Sequence, residues 1–289
     1  MTPEDITTQI AIQQEIDRLR AELRERMPAN PAAYGSRVFS QTDEDGIISR
    51  IMLILGIDPA QSTFLEIGVG NGLVCNTHWL ALQGARGVWL EGHSVNCAFI
   101  EAELPNLLRS GQSRLDLASE FVTLDSVPIL IETVCRRLDT RAPDFFSIDI
   151  DGNDAAIATA ALRHFQPKII CIEYNSKFPP PVSLCVPYDD ARRWARDDFY
   201  GASLQFIVRA FGEQYDLVCC NLAGVNAFFV RADINRLAEN DPAALYMPPR
   251  YELARLKTGF PAKFHWLRER LETEEHHRDS DTAAELPEI

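Results

Sequence analysis

Between residues 62 and 173 the chain alternates short apolar runs with longer amphipathic stretches, a pattern few folds accept. The runs fall at 63–67, 87–90, 120–124, 145–148 and 169–173 and are rich in Ile, Leu, Val and Phe, as fully covered strands are. The stretches between them, 74–84, 94–104, 126–138 and 154–164, carry helical spacing. Strict alternation of strand and helix predicts a parallel sheet with helices on both faces, because a parallel connection needs a long crossover. Two last runs, 215–221 and 226–230, are joined by only four residues that include Gly224. That link is too short for a crossover, so the pair must form an antiparallel hairpin. The expected fold class is α/β: a doubly wound, mostly parallel sheet of seven strands with a C-terminal antiparallel hairpin.

The flanks add helices. In residues 4–27, Ile12, Ile16, Leu19 and Leu23 recur every three or four positions among Glu15, Asp17, Arg18, Arg20, Glu22 and Arg24, and Pro28 and Pro31 follow. This amphipathic helix either packs on its own domain or pairs with a second copy as a short dimer helix. A second helix over 43–56 starts with acids, carries Ile47, Ile48, Ile51, Met52 and Leu55, and stops at Gly56. After 240, Pro248, Pro249 and Pro261 interrupt the chain before a helix near 263–275 and an acidic end. The expected organisation is an N-terminal helix at 1–35, a main domain at 36–240 and an extension at 241–289.

Composition narrows the partners. The net charge is −14, and residues 270–289 alone hold seven acids against two arginines. An acidic surface repels phosphate backbones, so nucleic acid is not expected as a partner. No run of 18 apolar residues exists, and the first residues carry acids where a signal peptide carries basic and then apolar residues. A cytoplasmic protein with no membrane span is the expectation. The seven cysteines form no C-x-x-C pair and several lie in apolar runs, which reads as buried reduced thiols.

The most informative stretch is Phe64-Leu-Glu-Ile-Gly-Val-Gly-Asn-Gly72. A strand runs into three glycines at alternate positions, where the backbone can turn tightly and a ligand can lie against it. A dinucleotide fingerprint, G-x-G-x-x-G, needs a third glycine at 73, and that residue is Leu73. Glu66 is a poor neighbour for a pyrophosphate and a good one for a cation. Glycines with a carboxylate suit S-adenosylmethionine (SAM), which carries an ammonium and a sulfonium and no phosphate. Gly68, Gly70, Asn71 and Gly72 are the expected loop contacts. Glu91, at the tip of the second strand, is the expected acceptor for the ribose hydroxyls.

A second constellation lies in Phe145-Phe-Ser-Ile-Asp-Ile-Asp-Gly-Asn-Asp154, an apolar strand running into acids. Ligands of open α/β sheets bind beyond the carboxyl ends of strands, which is where Asp149, Asp151, Asn153 and Asp154 fall, with Glu173 and Asn175 at the next strand tip. Two readings stay open. Asp149, Asp151 and Glu173 hold a hard divalent ion such as Mg2+, or these residues orient cosubstrate and acceptor while Asp154 caps the next helix. His78, His93 and His164 are candidate general bases, His78 foremost among them. Tyr188, Trp194 and Tyr200, near the proline-rich loop 178–182, can stack on a sugar ring or fill the core.

Together these pieces resemble the FkbM-like class I SAM-dependent methyltransferases. The resemblance rests on Phe39-Ser-Gln-Thr-Asp-Glu-Asp-Gly-Ile-Ile48, the glycine loop, Cys75-Asn-Thr-His78, Ser147–Asp154, Ile172-Glu-Tyr-Asn175, Phe199-Tyr-Gly-Ala-Ser-Leu204 and Asn226-Ala-Phe-Phe-Val-Arg231. It implies a seven-stranded Rossmann-like sheet and methylation of an oxygen, often a sugar hydroxyl in a polysaccharide, glycan or secondary metabolite. It also implies that Glu66, Gly68, Gly70 and Gly72 line the cosubstrate, that Glu91 is the ribose acid, and that Asp149 sits near the methyl donor. Asp149 and Asp151 are the expected catalytic acids. A noncatalytic partner protein built on this fold is the alternative, and a nicotinamide oxidoreductase is disfavoured by Leu73 and Glu66.

Overall fold

A computed structural model describes residues 3–104, 114–192 and 199–255. Its sheet has seven strands in the order β3-β2-β1-β4-β5-β7-β6. They are β1 (Thr63–Ile67), β2 (Arg86–Glu91), β3 (Arg114–Ser119), β4 (Phe145–Ile148), β5 (Ile169–Glu173), β6 (Tyr215–Cys220) and β7 (Asn226–Arg231). β4 lies at the centre, parallel to β1 and β5, and β1 is parallel to β2. β7 runs antiparallel between β5 and β6, pairing Glu173 with Asn226 and Ile169 with Val230. The expected hairpin is present, and its second strand is the one inserted into the sheet.

Alternate strand residues feed two cores, as the period of two requires. Phe64, Trp89, Phe145, Cys171 and Phe228 face α1 (Pro3–Arg26), α2 (Glu44–Leu55), α3 (His78–Gln83) and α4 (Ser94–Glu103). Leu65, Val88, Phe146, Ile170 and Phe229 face α5 (Val127–Leu138), α6 (Asp154–Ala161) and α7 (Leu204–Phe211). All seven cysteines are free thiols, and all but the half-buried Cys185 are buried. Among the described residues no helix is long and apolar enough to cross a membrane.

Two elements depart from the sequence reading. The third strand is Arg114–Ser119 and not 120–124. It is an edge strand with only Leu115 fully covered, so it lacks the continuous apolar run of a central strand, and its pairing with β2 ends at Glu91↔Ser119. α7 was not anticipated. Ser203 caps it, its hydroxyl accepting from Phe206 N at 3.4 Å, and Leu204, Ile207 and Phe211 form the buried face.

α1 resolves the two readings of the N-terminal helix. Ile12, Ile16, Leu19 and Leu23 are buried in the same core as Phe64 and Trp89. Arg24 Nη2 donates to Ala33 O at 2.8 Å, and the Arg50 guanidinium stands 4.1 Å over the Tyr34 ring. That apolar stripe is therefore packed inside the chain, and Ile6 and Ile10 are the large apolar side chains exposed on the helix. The helix expected near 263–275 lies outside the described residues. Leu23→Ala should cost about 2–4 kcal/mol in denaturant unfolding, as for a buried leucine. Ile10→Ser should stay within about 0.5 kcal/mol of wild type.

Candidate active site at the carboxyl ends of the central strands

The glycine loop is pinned at both ends and open in the middle. Gly68, at φ +85°, donates its N–H to Leu90 O at 2.9 Å, and a Cβ there would lie 1.8 Å from Asp149 O. Gly72, at φ +73°, packs against Trp89, whose ring would be 2.9 Å from an added Cβ. Gly70, at φ +56°, has nothing within 4 Å of that position. Two glycines thus allow close approach of protein to protein, and the third has open space where its side chain would be. Asn71 Oδ1 accepts from Leu73 N at 3.1 Å and shapes the turn itself.

Glu66 does a different task from the one expected. It is 2% exposed, and its carboxylate accepts from Asn76 N and Thr77 N at 2.9 Å each and from the Thr77 hydroxyl. Burial pushes its carboxyl above the ordinary range, and these donors oppose that push. It secures the segment after the loop. Glu91 stands where expected, at the end of β2. It accepts from Gly70 N and His93 N at 2.8 Å and from Asn96 Nδ2 at 3.3 Å, and so holds the bare middle of the loop.

The histidines separate. His78 Nδ1 lies 2.6 Å from Gly72 O, and a carbonyl only accepts, so Nδ1 carries the proton. Its ring stacks on Phe39 at 4.2 Å with the edge of Trp89 behind. His78 clamps the loop and is not placed as a base. His164 follows α6 and precedes β5, at the amino end of the strands and away from the acids. His93, at the start of α4, is the one whose charge reaches Asp151.

The acids at the tips of β4 and β5 do converge. Asp149, Asp151 and Glu173 each offer an oxygen, all within 4.8 Å of one another. The turn between β4 and α6 delivers them: Asp151 sits at φ +57°, and Asp154 accepts from Ile150 N and Gly152 N at 2.8 Å each. Burial raises the Asp154 carboxyl to about 6 despite those donors. Asp149 and Glu173 are pushed well above the ordinary range by burial first and then by neighbouring carboxylates. Asp151 is exposed at the rim, yet burial of its inner side still raises it.

The acids of 43–45, read from sequence only as a helix start, form a buried layer beside the site. Asp45 Oδ2 accepts from Val38 N, Phe39 N, Ser40 N and Ser40 Oγ at 2.6–2.8 Å. Glu44 accepts from Thr42 N, Thr42 Oγ1, Asn221 Nδ2 and Asn226 Nδ2. Three consecutive acids exceed what one helix start needs, which was the available signal. On the other side of the site Arg192 crosses Gly152, where an added Cβ would be 2.7 Å from Arg192 Cδ, and lies 5.3 Å from the Phe199 ring. Tyr200 is half-buried, its hydroxyl 3.1 Å from that of Tyr251. Tyr188 donates to Asp190 and accepts from Leu124 N at 2.9 Å; Trp194 lies outside the described residues. A cleft of about 630 Å3, lined by Asp144, Lys168 and Arg236, opens at the opposite end of the strands and holds none of these groups.

No protein-family model matches the chain, and no curated protein matches it. Solved structures similar to it include an O-methyltransferase from Bacillus cereus in complex with S-adenosylhomocysteine (SAH), with 18% identity over 76% of this chain and 89% of that one, TM-score 0.43. Others are the O-methyltransferase TomG from Streptomyces achromogenes with SAM (16%, 63% and 76%, TM-score 0.38) and magnesium protoporphyrin IX methyltransferase from Synechocystis PCC 6803 with SAM (12%, 68% and 87%, TM-score 0.41). At these overlaps the likeness decides nothing about ligand or acceptor.

Gly68→Ala should abolish folding, since a backbone clash adds to about 1–2 kcal/mol of left-handed strain. Gly70→Ala should carry the strain alone and stay folded by thermal melt. Asp43, buried at the start of α2, is raised to about 7 from 3.8 by burial and by Glu44. A raised folded value means stability present below the ordinary range and lost as pH climbs through about 7. The melting temperature without added divalent ions should therefore fall between about pH 4 and about pH 7, and Asp43→Asn should flatten that decline.

Proposed function

We propose that the protein is an O-methyltransferase that uses SAM as methyl donor and a sugar hydroxyl as acceptor. The carrying observation is the placement of bare backbone at Gly70, the Glu91 carboxylate and the Asp149–Asp151–Glu173 cluster along the tips of β1, β2, β4 and β5. The FkbM-like motifs at the same positions support the acceptor class.

In this reading Gly70 lets the cosubstrate lie against the loop, and Glu91 accepts from its ribose hydroxyls. Gly68 brings the tips of β1 and β4 into contact and so sets Asp149 beside the methyl donor. The acceptor oxygen attacks the methyl carbon in line as the carbon–sulfur bond breaks, and SAH leaves. The chain's chief contribution is alignment. The acceptor proton passes to Asp149 or Asp151, whose affinity for protons burial raises.

The same cluster fits a hard divalent ion. Its three carboxylates converge, and Glu173 Oε2 is buried with no partner among the described residues. Asp149, Asp151 and Glu173 would hold Mg2+, which would lower the pKa of a bound hydroxyl.

Calorimetric titration with SAH should give one-to-one binding. Glu91→Ala should weaken it by about 1.5–3 kcal/mol, the range for a hydrogen bond to a charged group. Asp149→Asn should keep SAH binding and lose about 10²–10⁴-fold in turnover on a panel of nucleotide sugars and glycans. Absence of SAH binding at any magnesium concentration would remove the proposal.

A further inference from the structure

We propose that Asn226, the first residue of β7, supplies a fourth oxygen to a divalent-cation site it shares with Asp149, Asp151 and Glu173. The proposal rests on the cation part of the reading above and adds a ligand from a strand that reading does not use.

The placement follows from register. Ser147 pairs with Cys171 across β4 and β5, and Asp149 and Glu173 lie two residues beyond each, on the same side of the sheet. Glu173 pairs directly with Asn226 across β5 and β7. Directly opposed residues carry their Cβ atoms about 4.5–5.5 Å apart on one face. The three side chains therefore share one face.

The amide is oriented by Glu44. Asn226 Nδ2 donates to Glu44 Oε1 at 3.1 Å, and Asn221 Nδ2, across β7 on the β6 side, donates to the same oxygen at 2.7 Å. The amide nitrogen of Asn226 is thus committed to Glu44, and Oδ1 is the end of the group turned away from it. Exchanging the two ends would set Oδ1 against the Glu44 carboxylate. Asn226 is 3% exposed, and its Oδ1 has no partner among the described residues. The neighbouring Glu173 Oε2 is in the same condition.

Two buried acceptors side by side cannot satisfy each other, and each unpaired group costs about 1–3 kcal/mol. Glu173 in turn lies within 4.8 Å of oxygens of Asp149 and Asp151, so the unpaired pair borders a converging set of carboxylates. Three carboxylates and an amide carbonyl are the donors that magnesium, manganese or calcium prefers. Glu44 acts as a positioning residue: it holds the amide nitrogen so that the oxygen points at the site.

The test uses the full chain and Mn2+ as probe. Mn2+ affinity is followed by electron paramagnetic resonance, and Tb3+ luminescence lifetimes in H2O and D2O count bound water. Asn226→Ala should weaken Mn2+ binding about 10–100-fold, gain one bound water, and leave SAH affinity unchanged. Equal Mn2+ affinity and water count in wild type and variant would overturn the inference while leaving the methyl-transfer reading intact. Failure of wild type to bind Mn2+ would overturn it together with the cation site, and the SAH titration would then decide the methyl-transfer reading alone. If Asn226→Ala does not fold, Mn2+-loaded wild-type protein labelled with 13C at asparagine side-chain carbonyls carries the test. A directly coordinated carbonyl gives a resolved 13C coupling by electron–nuclear double resonance, and its absence overturns the proposal.

Discussion

Carboxylates drawn out of water at one end of the sheet set the terms for much of the surrounding structure. An ionised carboxylate is stable in a buried setting only when donors or counter-charges replace its water. The chain supplies donors from its own backbone: Val38, Phe39 and Ser40 to Asp45, Asn76 and Thr77 to Glu66, Ile150 and Gly152 to Asp154. Each of these acids folds a loop around itself. Asp149, Asp151 and Glu173 receive no comparable set, which distinguishes acids that build the site from acids left available in it.

That distinction bounds what could be read from sequence. β1, β4 and β5 matched their apolar runs to the residue, because central strands covered on both faces need continuous apolar sequence. The edge strand β3 carried no such run and was placed six residues late. Convergence of Asp149, Asp151 and Glu173 was legible because two apolar strands each end in acid, and parallel neighbours bring their ends together. The partners of Glu66 were not legible for the opposite reason: nothing local says that a carboxylate at a strand end turns back to hold Asn76 and Thr77. His78 lay in the right neighbourhood, but its contact with Gly72 O depends on how α3 starts. Asn226 and Glu44 lie 182 positions apart in sequence and meet only through the final register of β7.

The glycine loop illustrates how one spacing serves two ends. Gly68 and Gly72 are required by neighbours within the protein, Asp149 O and Trp89, whereas Gly70 meets open space. A conformation imposed by packing on both sides leaves the middle of the loop without a neighbour at Gly70. The loop's stability and its capacity to receive a ligand are therefore separable, residue by residue.

β7 is antiparallel to both of its neighbours, and that reversal has a geometric consequence. Every parallel strand reaches this end of the sheet with its last residue, while β7 reaches it with its first. The five-residue link 221–225 therefore fixes the phase of β7. Adding or removing one residue there would rotate alternate side chains to the opposite face, carrying Asn226 away from Glu173 and Phe228 out of its core in the same movement. The length of this buried turn is thereby subject to the same constraint as the chemistry beside it.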